Sequence, residues 1–539
     1  MLPGADAELG GAQSDALVAI ELVFLLLIVV TALAILARRV GLPYPILLVI
    51  GGLLLGLVPG LPRIQLEPDL VFLIFLPPIL FAAGYFTSIR DIRANARKIG
   101  LLAVALVIVT AAAVAFVVQA LVPGVGWAAA FALGAIVAPP DAVAATAIFR
   151  RLGVPRRIVT ILEGESLIND ATALVLFRTA VVVAAGGSLT VAGLASSFVV
   201  TAIGGIAFGL VVGWVVAWVT HRVDDPVFSI VITFLAPIAA YLPAERFGFS
   251  GVLATVAAGL WLGGHSGRAF SSGVRVAGVA AWQVLLFLIN GMVFILIGLQ
   301  LPDVLGELSD GRSPADLLGL AAAVCLTVIL VRIVWVFASI YVPYRLSPSM
   351  HGEPGPARSG IFLVSWAGMR GVVSLAAALA LPHTLSDGSP FPERSLLVFL
   401  AFSVILVTLV GQGLTLPFVV RRLGITADGG DEEEETRART AAAEAAAARI
   451  EELAVEWPGH LELVDALRAQ YSHRATHHEP DKPESESEQE LIEHRQIRRA
   501  VIDAEREAVL RMREDGAISD EAYRRVERDL DLEELRMEA

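Results

Sequence analysis

The sequence predicts an all-α polytopic membrane protein of about thirteen transmembrane helices, followed by a cytoplasmic helical tail. Three observations carry the prediction. The 539 residues are 56% hydrophobic and only 17% charged, with a mean hydropathy of +0.73. A soluble chain of this length carries nearer a quarter charged residues. The net charge of −13 is unevenly spread: acidic and basic residues crowd the chain from Asp431 onward, while the first four-fifths is apolar with short basic loops. Finally, apolar runs of membrane length recur throughout that part. The chain therefore divides into a membrane body, 1–422, and a charged tail, 423–539.

A hydrocarbon core of about 30 Å takes roughly 20 apolar residues in a helix. Runs of that kind fall at about 16–37, 43–60, 68–87, 98–122, 126–149, 158–185, 190–220, 226–243, 248–264, 277–301, 315–341, 358–382 and 394–420. Basic residues follow the odd-numbered runs early in the body: Arg38 and Arg39, then Arg90, Arg93, Arg97 and Lys98, then Arg150, Arg151, Arg156 and Arg157. Arg421 and Arg422 close the last run, while the loops 61–67, 121–126 and 185–189 hold a single basic residue, Arg63. Positive charge stays on the cytoplasmic side, so the N-terminus is expected outside and the tail inside. No Lys or Arg precedes the first apolar run, which does not look like a cleaved secretory signal. A lone Cys325 excludes a disulfide framework and a cysteine metal site.

Ionisable groups inside a membrane are costly and are functional candidates by default. Here they are Glu21, Asp141, Glu163, Glu165, Asp170, Arg178, Arg332 and Arg370. Histidines fall in loops, so a proton-handling step needs a carboxylate. In the sixth run, EGESLINDATALVLF (163–177), a helical turn of about 100° per residue separates two polar faces. Glu163, Ser166 and Asp170 lie on one; Glu165, Asn169 and Thr172 lie on the other. One face can line a cavity while the other packs on a neighbour. Glu163 is either part of that cavity or a helix-start residue favoured by the dipole.

The fifth run, ALGAIVAPPDAVAATAI (132–148), holds Pro139 and Pro140 at mid-depth with Asp141 directly after them. The prolines remove backbone donors and should leave carbonyls near Ala135 and Ile136 unpaired. Irregular backbone at membrane depth is tolerated only inside protein or beside a wet cavity. Free carbonyls next to a carboxylate suit a hard cation. The twelfth run, SWAGMRGVVSLAAALALP (365–382), places Arg370 between Gly368 and Gly371. That buried arginine needs an anion, and Glu165 and Asp141 are the candidates. Arg332 is expected to pair with an intramembrane acid; Glu21 is read as structural, and Asn290-Gly291 as a packing or hydrogen-bonding point. Runs five and twelve are both interrupted and fall seven runs apart, and paired interrupted runs in corresponding positions of two halves point to an inverted-repeat transporter.

LPPILFAAGYF (76–86), APPDAVAATA (138–147), GESLINDA (164–171) and GMRGVVSLA (368–376), in that order, resemble the signatures of the monovalent cation/proton antiporters, sodium/proton exchanger branch. The resemblance covers the whole membrane body. It implies inverted repeats, two crossed broken helices, a dimerisation region and hence a homodimer in the cell membrane. It also implies a sodium site at Asp170, with Asp141, Ser166 and the Pro140 backbone carbonyl contributing, and an ion pair between Glu165 and Arg370. Two departures stand out: many relatives have Thr where this chain has Pro140, and an acid in the third span where it has Ala82 and Ala83.

The expected activity is exchange of sodium or lithium for protons by competition at Asp170, with potassium/proton exchange as the alternative. In the family an amide before the aspartate accompanies electroneutral exchange, so Asn169 predicts one-for-one exchange. A channel and an intramembrane enzyme fit less well: there is one titratable site between broken helices, and no nucleophile–base pair. No cofactor and no nucleic acid are expected; the partners are the cation, the proton and membrane lipid. In the tail, TRARTAAAEAAAARIEELA favours a helix, HHEPDKPESESEQE (477–490) reads as a disordered break, and 490–537 reads as two amphipathic helices meeting at Asp515-Gly516. That pair is either regulatory or simply solvated. A histidine group, His473 with His477 and His478, is a weak metal candidate.

Overall fold

The structure is a computed structural model that describes residues 5–59, 71–186, 191–223, 225–308, 312–346, 357–385, 388–425 and 430–456, with shorter segments between 464 and 534. The loop 61–67, the histidine group and the break 477–490 lie outside the described residues. The chain divides into two compact units, Met1–Ala427 and Asp428–Ala539.

Among the described residues the apolar runs coincide with helices or pairs of helical segments. In order these are α1 (Ala5–Val40), α2 (Tyr44–Gly56), α3 (Leu76–Phe86) and α4 (Leu106–Leu121). Then follow α5 (Trp127–Val137), α6 (Ala142–Leu152), α7 (Arg156–Ala184) and α8 (Val191–Thr220). Next come α9 (Pro226–Arg246), α10 (Gly251–Ala269), α11 (Ser272–Glu307) and α12 (Pro314–Leu346). The last are α13 (Arg358–Trp366), α14 (Val372–Leu379) and α15 (Arg394–Leu406). A π-helical turn, Val407–Gln412, carries α15 onward toward Arg422. Nine helices among the described residues are long and apolar enough to cross a membrane.

The fifth and twelfth runs are broken, as expected. Pro139 and Pro140 end α5, and Asp141 begins α6 as its N-cap, accepting the Val143 N–H at 2.8 Å. Gly368 and Gly371 flank the extended stretch between α13 and α14.

The packing repeats itself at an offset of seven runs. α2 packs on α11 as α10 packs on α3, α4 packs on α12, and α5 meets α15 as α14 meets α7. Matching glycines make the first two contacts close. A β-carbon on Gly298 would fall 2.1 Å from Val49 O, and one on Gly259 would fall 2.3 Å from Phe81 O. Small residues of this kind let membrane helices approach backbone to backbone. An odd offset reverses the direction of each matched run, so the repeats are inverted.

In the second unit α16 (Gly430–Glu456) is the expected alanine-rich helix. Helical segments 499–512 and 529–534 are joined by Arg506, whose guanidinium reaches Glu534 at 2.6 Å and also Asp531. The amphipathic segments thus pair.

Candidate cation site at the crossing of two broken helices

The two breaks lie against each other. The Asp141 N–H donates to Met369 O at 2.6 Å, and Arg370 Nε donates to Val137 O at 3.0 Å. These bonds give partners to backbone groups that the two breaks leave without a helical one. At the centre, a β-carbon on Gly371 would stand 1.7 Å from Asp141 Oδ2. The Asp141 carboxylate therefore rests at the N-terminal ends of both α6 and α14, where helix dipoles favour a negative group.

The opposite ends of the half-helices meet arginines. Arg370 supplies the carbonyl end of α5 through Val137 O, and also donates to Gly368 O. Its backbone N–H donates to Thr408 Oγ1 at 3.1 Å, within the π-helical turn. Arg332 donates to Val364 O near the end of α13 at 3.2 Å. Positive charge at two C-terminal ends and negative charge between two N-terminal ends make the crossing electrostatically consistent.

The expected pair of Glu165 with Arg370 is not what the structure contains. Glu165 is held by Arg332 in a bidentate bridge, at 2.6 Å and 3.0 Å, and both side chains are buried to within 1%. Arg370, equally buried, takes carbonyls instead of a carboxylate. The expectation that Arg332 pairs with an intramembrane acid holds. Gly368 gives Arg332 its space, because a β-carbon there would meet its Cδ at 2.3 Å.

The two faces of α7 separate as the helical wheel predicted. Asp170, Ser166 and Glu163 line a cavity of about 520 Å³ together with Asp141. Asp170 is 7% exposed, and its carboxylate makes no hydrogen bond among the described residues. Ser166 Oγ accepts the Ala142 N–H at 3.3 Å, which ties α7 to the break. On the other face Asn169, fully buried, donates through Nδ2 to Pro140 O at 3.4 Å. The Pro140 carbonyl is thus already used once, with one lone pair left for another partner.

Ala82 and Ala83, where an acid was noted as missing, line the same cavity. So do Gln283 and Asn290 of α11, although only Asn290 drew notice in the sequence. Thr408 was missed altogether, since one threonine in an apolar run carries no signal of its partner. Glu21 is exposed on α1 and is not among the residues that line the cavity. Arg178 pairs with Glu245 at 2.8 Å, outside the crossing.

Broken helices that cross beside buried carboxylates define the chain as a secondary transporter. A family model described as the transmembrane sodium/hydrogen exchanger matches residues 24–422, and the chain belongs to that family. It is an antiporter embedded in a membrane by many helices. An uncharacterized Na+/H+ exchanger of Mycobacterium tuberculosis is 38% identical, covering 96% of this chain and 97% of its own length. The uncharacterized exchanger YjcE of Escherichia coli is 35% identical, over 91% of this chain and 93% of its own. A Bacillus subtilis protein named as a sodium, potassium, lithium and rubidium/proton antiporter is 33% identical, over 74% of this chain and 61% of its own. The fold is similar to that of the sodium/proton antiporter MjNhaP1 of Methanocaldococcus jannaschii, with a TM-score of 0.59 and 20% identity, over 76% of this chain and 99% of that one.

Proposed function

We propose that the protein exchanges one sodium ion for one proton, and that both occupy Asp170 in turn. The observation that carries this reading is the contrast between the two aspartates. Asp141 is satisfied by backbone donors, whereas Asp170 faces the cavity with no hydrogen-bond partner among the described residues. An uncompensated carboxylate out of water is costly, and either a proton or a cation removes that cost. The two therefore exclude each other, which couples their flows. Asp141, Ser166 and the free lone pair of the Pro140 carbonyl supply the further oxygens that a hard cation takes.

Charge counting supports one-for-one exchange. Leaving aside the half-buried Glu163 nearer the start of α7, the charged groups at the crossing are Arg332 and Arg370 with Glu165, Asp141 and Asp170. With all five ionised a single negative charge is left over, and one proton or one sodium ion neutralises it. Neutral Asn169 adds nothing to this balance. Glu165 and Arg332 hold the frame, and Arg370 secures the crossing. The reading includes a homodimer, an outside N-terminus and a cytoplasmic tail, the orientation following from the basic residues that close alternate runs.

The test is proton-coupled flux in proteoliposomes. Asp170→Asn should abolish sodium-dependent proton movement while the purified protein keeps its thermal stability; exchange that survives the substitution overturns the assignment. Potassium/proton exchange is the second reading, favoured by the name of the Bacillus subtilis relative. Sodium, lithium and potassium compared in the same assay decide between them.

A further inference from the structure

Helix α6 separates the candidate cation cavity from a second one of about 400 Å³, and Ala147 borders both. The second cavity lies between the α1–α2 turn, α6, α11 and the end of the last membrane helix. Three arginines, Arg38, Arg151 and Arg421, stand around it, and no Asp or Glu is among its lining residues. Each arginine closes a different apolar run, so all three lie at the basic membrane face. Among the described residues Arg38 and Arg151 have no hydrogen-bond or ion-pair partner, and Arg421 has one backbone acceptor, Pro417 O at 3.2 Å. Arg151 reaches over the α1–α2 turn, with Nη2 3.7 Å from where a β-carbon on Gly41 would be.

Single arginines at helix ends ordinarily snorkel to the interface and need no ligand. That accounts for each residue separately. It does not account for three exposed arginines from separate runs standing around one cavity whose wall holds no acidic residue. Guanidinium forks match phosphate oxygens in bidentate geometry. The rest of the wall is apolar, including Ala34, Leu42 and Phe287. A basic mouth over an apolar wall, between transmembrane helices, suits a lipid with an anionic headgroup.

We propose that this cavity binds an anionic glycerophospholipid. Arg38, Arg151 and Arg421 hold the headgroup phosphate, and acyl chain lies along the apolar wall. The lipid then rests against α6, the helix whose N-cap is Asp141.

The full-length protein in detergent provides the test, through thermal unfolding with added phosphatidylglycerol, phosphatidylcholine or inorganic phosphate. Phosphatidylglycerol should raise the midpoint well beyond phosphatidylcholine, and the combined variant Arg38→Gln, Arg151→Gln, Arg421→Gln should lose that difference. An undiminished difference in the variant overturns the proposal. An equal rise with inorganic phosphate alone makes the site one for free phosphate and overturns the lipid assignment. Native mass spectrometry of the unaltered protein needs no variant: preferential retention of phosphatidylglycerol supports the proposal, and equal retention of the two lipids sinks it.

Discussion

Glu165 and Arg332 form a bidentate ion pair, 2.6 Å and 3.0 Å long, joining α7 to α12 with neither side chain more than 1% exposed. Two charges removed from water at this depth depend wholly on each other. Arg332 also donates to Val364 O, so the same guanidinium ties both helices to α13.

Breaking that pair should destabilise the protein strongly. Arg332→Gln strands Glu165 in the interior, a loss of about 3–5 kcal/mol by the usual cost of an uncompensated buried charge. Thermal unfolding of the purified variant should show a large drop. Removing both charges together, as Glu165→Gln with Arg332→Met, should recover much of it. Arg332→Lys should rescue poorly, because a point charge cannot reproduce the fork.

Gly371 should tolerate no side chain. Its β-carbon would lie 1.7 Å from Asp141 Oδ2, so Gly371→Ala must push the carboxylate or the broken helix out of place. We expect exchange in proteoliposomes to vanish. Gly319→Ala in α12 is the control, since nothing lies within 4 Å of its β-carbon. That variant should keep full exchange, with stability unchanged or raised by about 0.5–1 kcal/mol.

Sodium and protons should compete openly. If both occupy Asp170, acidifying the medium on the sodium side raises the apparent sodium KM and leaves the maximal rate unchanged. Where the site is mostly protonated, each pH unit downward should raise KM about tenfold, by reciprocal linkage of the two ligands. A maximal rate that falls with pH at constant KM would argue for separate sites.

Asn169→Asp should make exchange sensitive to voltage. An added carboxylate beside Pro140 leaves a second unbalanced negative charge at the crossing, while losing the amide that donates to the Pro140 carbonyl. The unaltered protein should exchange at the same rate whether or not a potassium diffusion potential is imposed with valinomycin. The variant's rate should change with that potential, and a potential-sensitive parent would remove the electroneutral reading.

The class of protein was legible in the chain because a bilayer imposes rules that local sequence must obey. Apolar runs, proline and glycine interruptions and rare intramembrane charges each carry a cost that is visible residue by residue. The separation of Asp170 from Glu165 also followed from sequence, since helical periodicity alone sets them on different faces of α7. Which arginine answers Glu165 did not follow. Arg332 and Arg370 are both lone basic residues in apolar runs, and only the tertiary packing that sets α12 beside α7 brings the first to the carboxylate. The same holds for Thr408 beneath Arg370, and for the shared position of Asp141 at two helix ends. Periodicity determines the direction a side chain takes from its own helix; what it meets is decided by the crossing of other helices, far away in sequence.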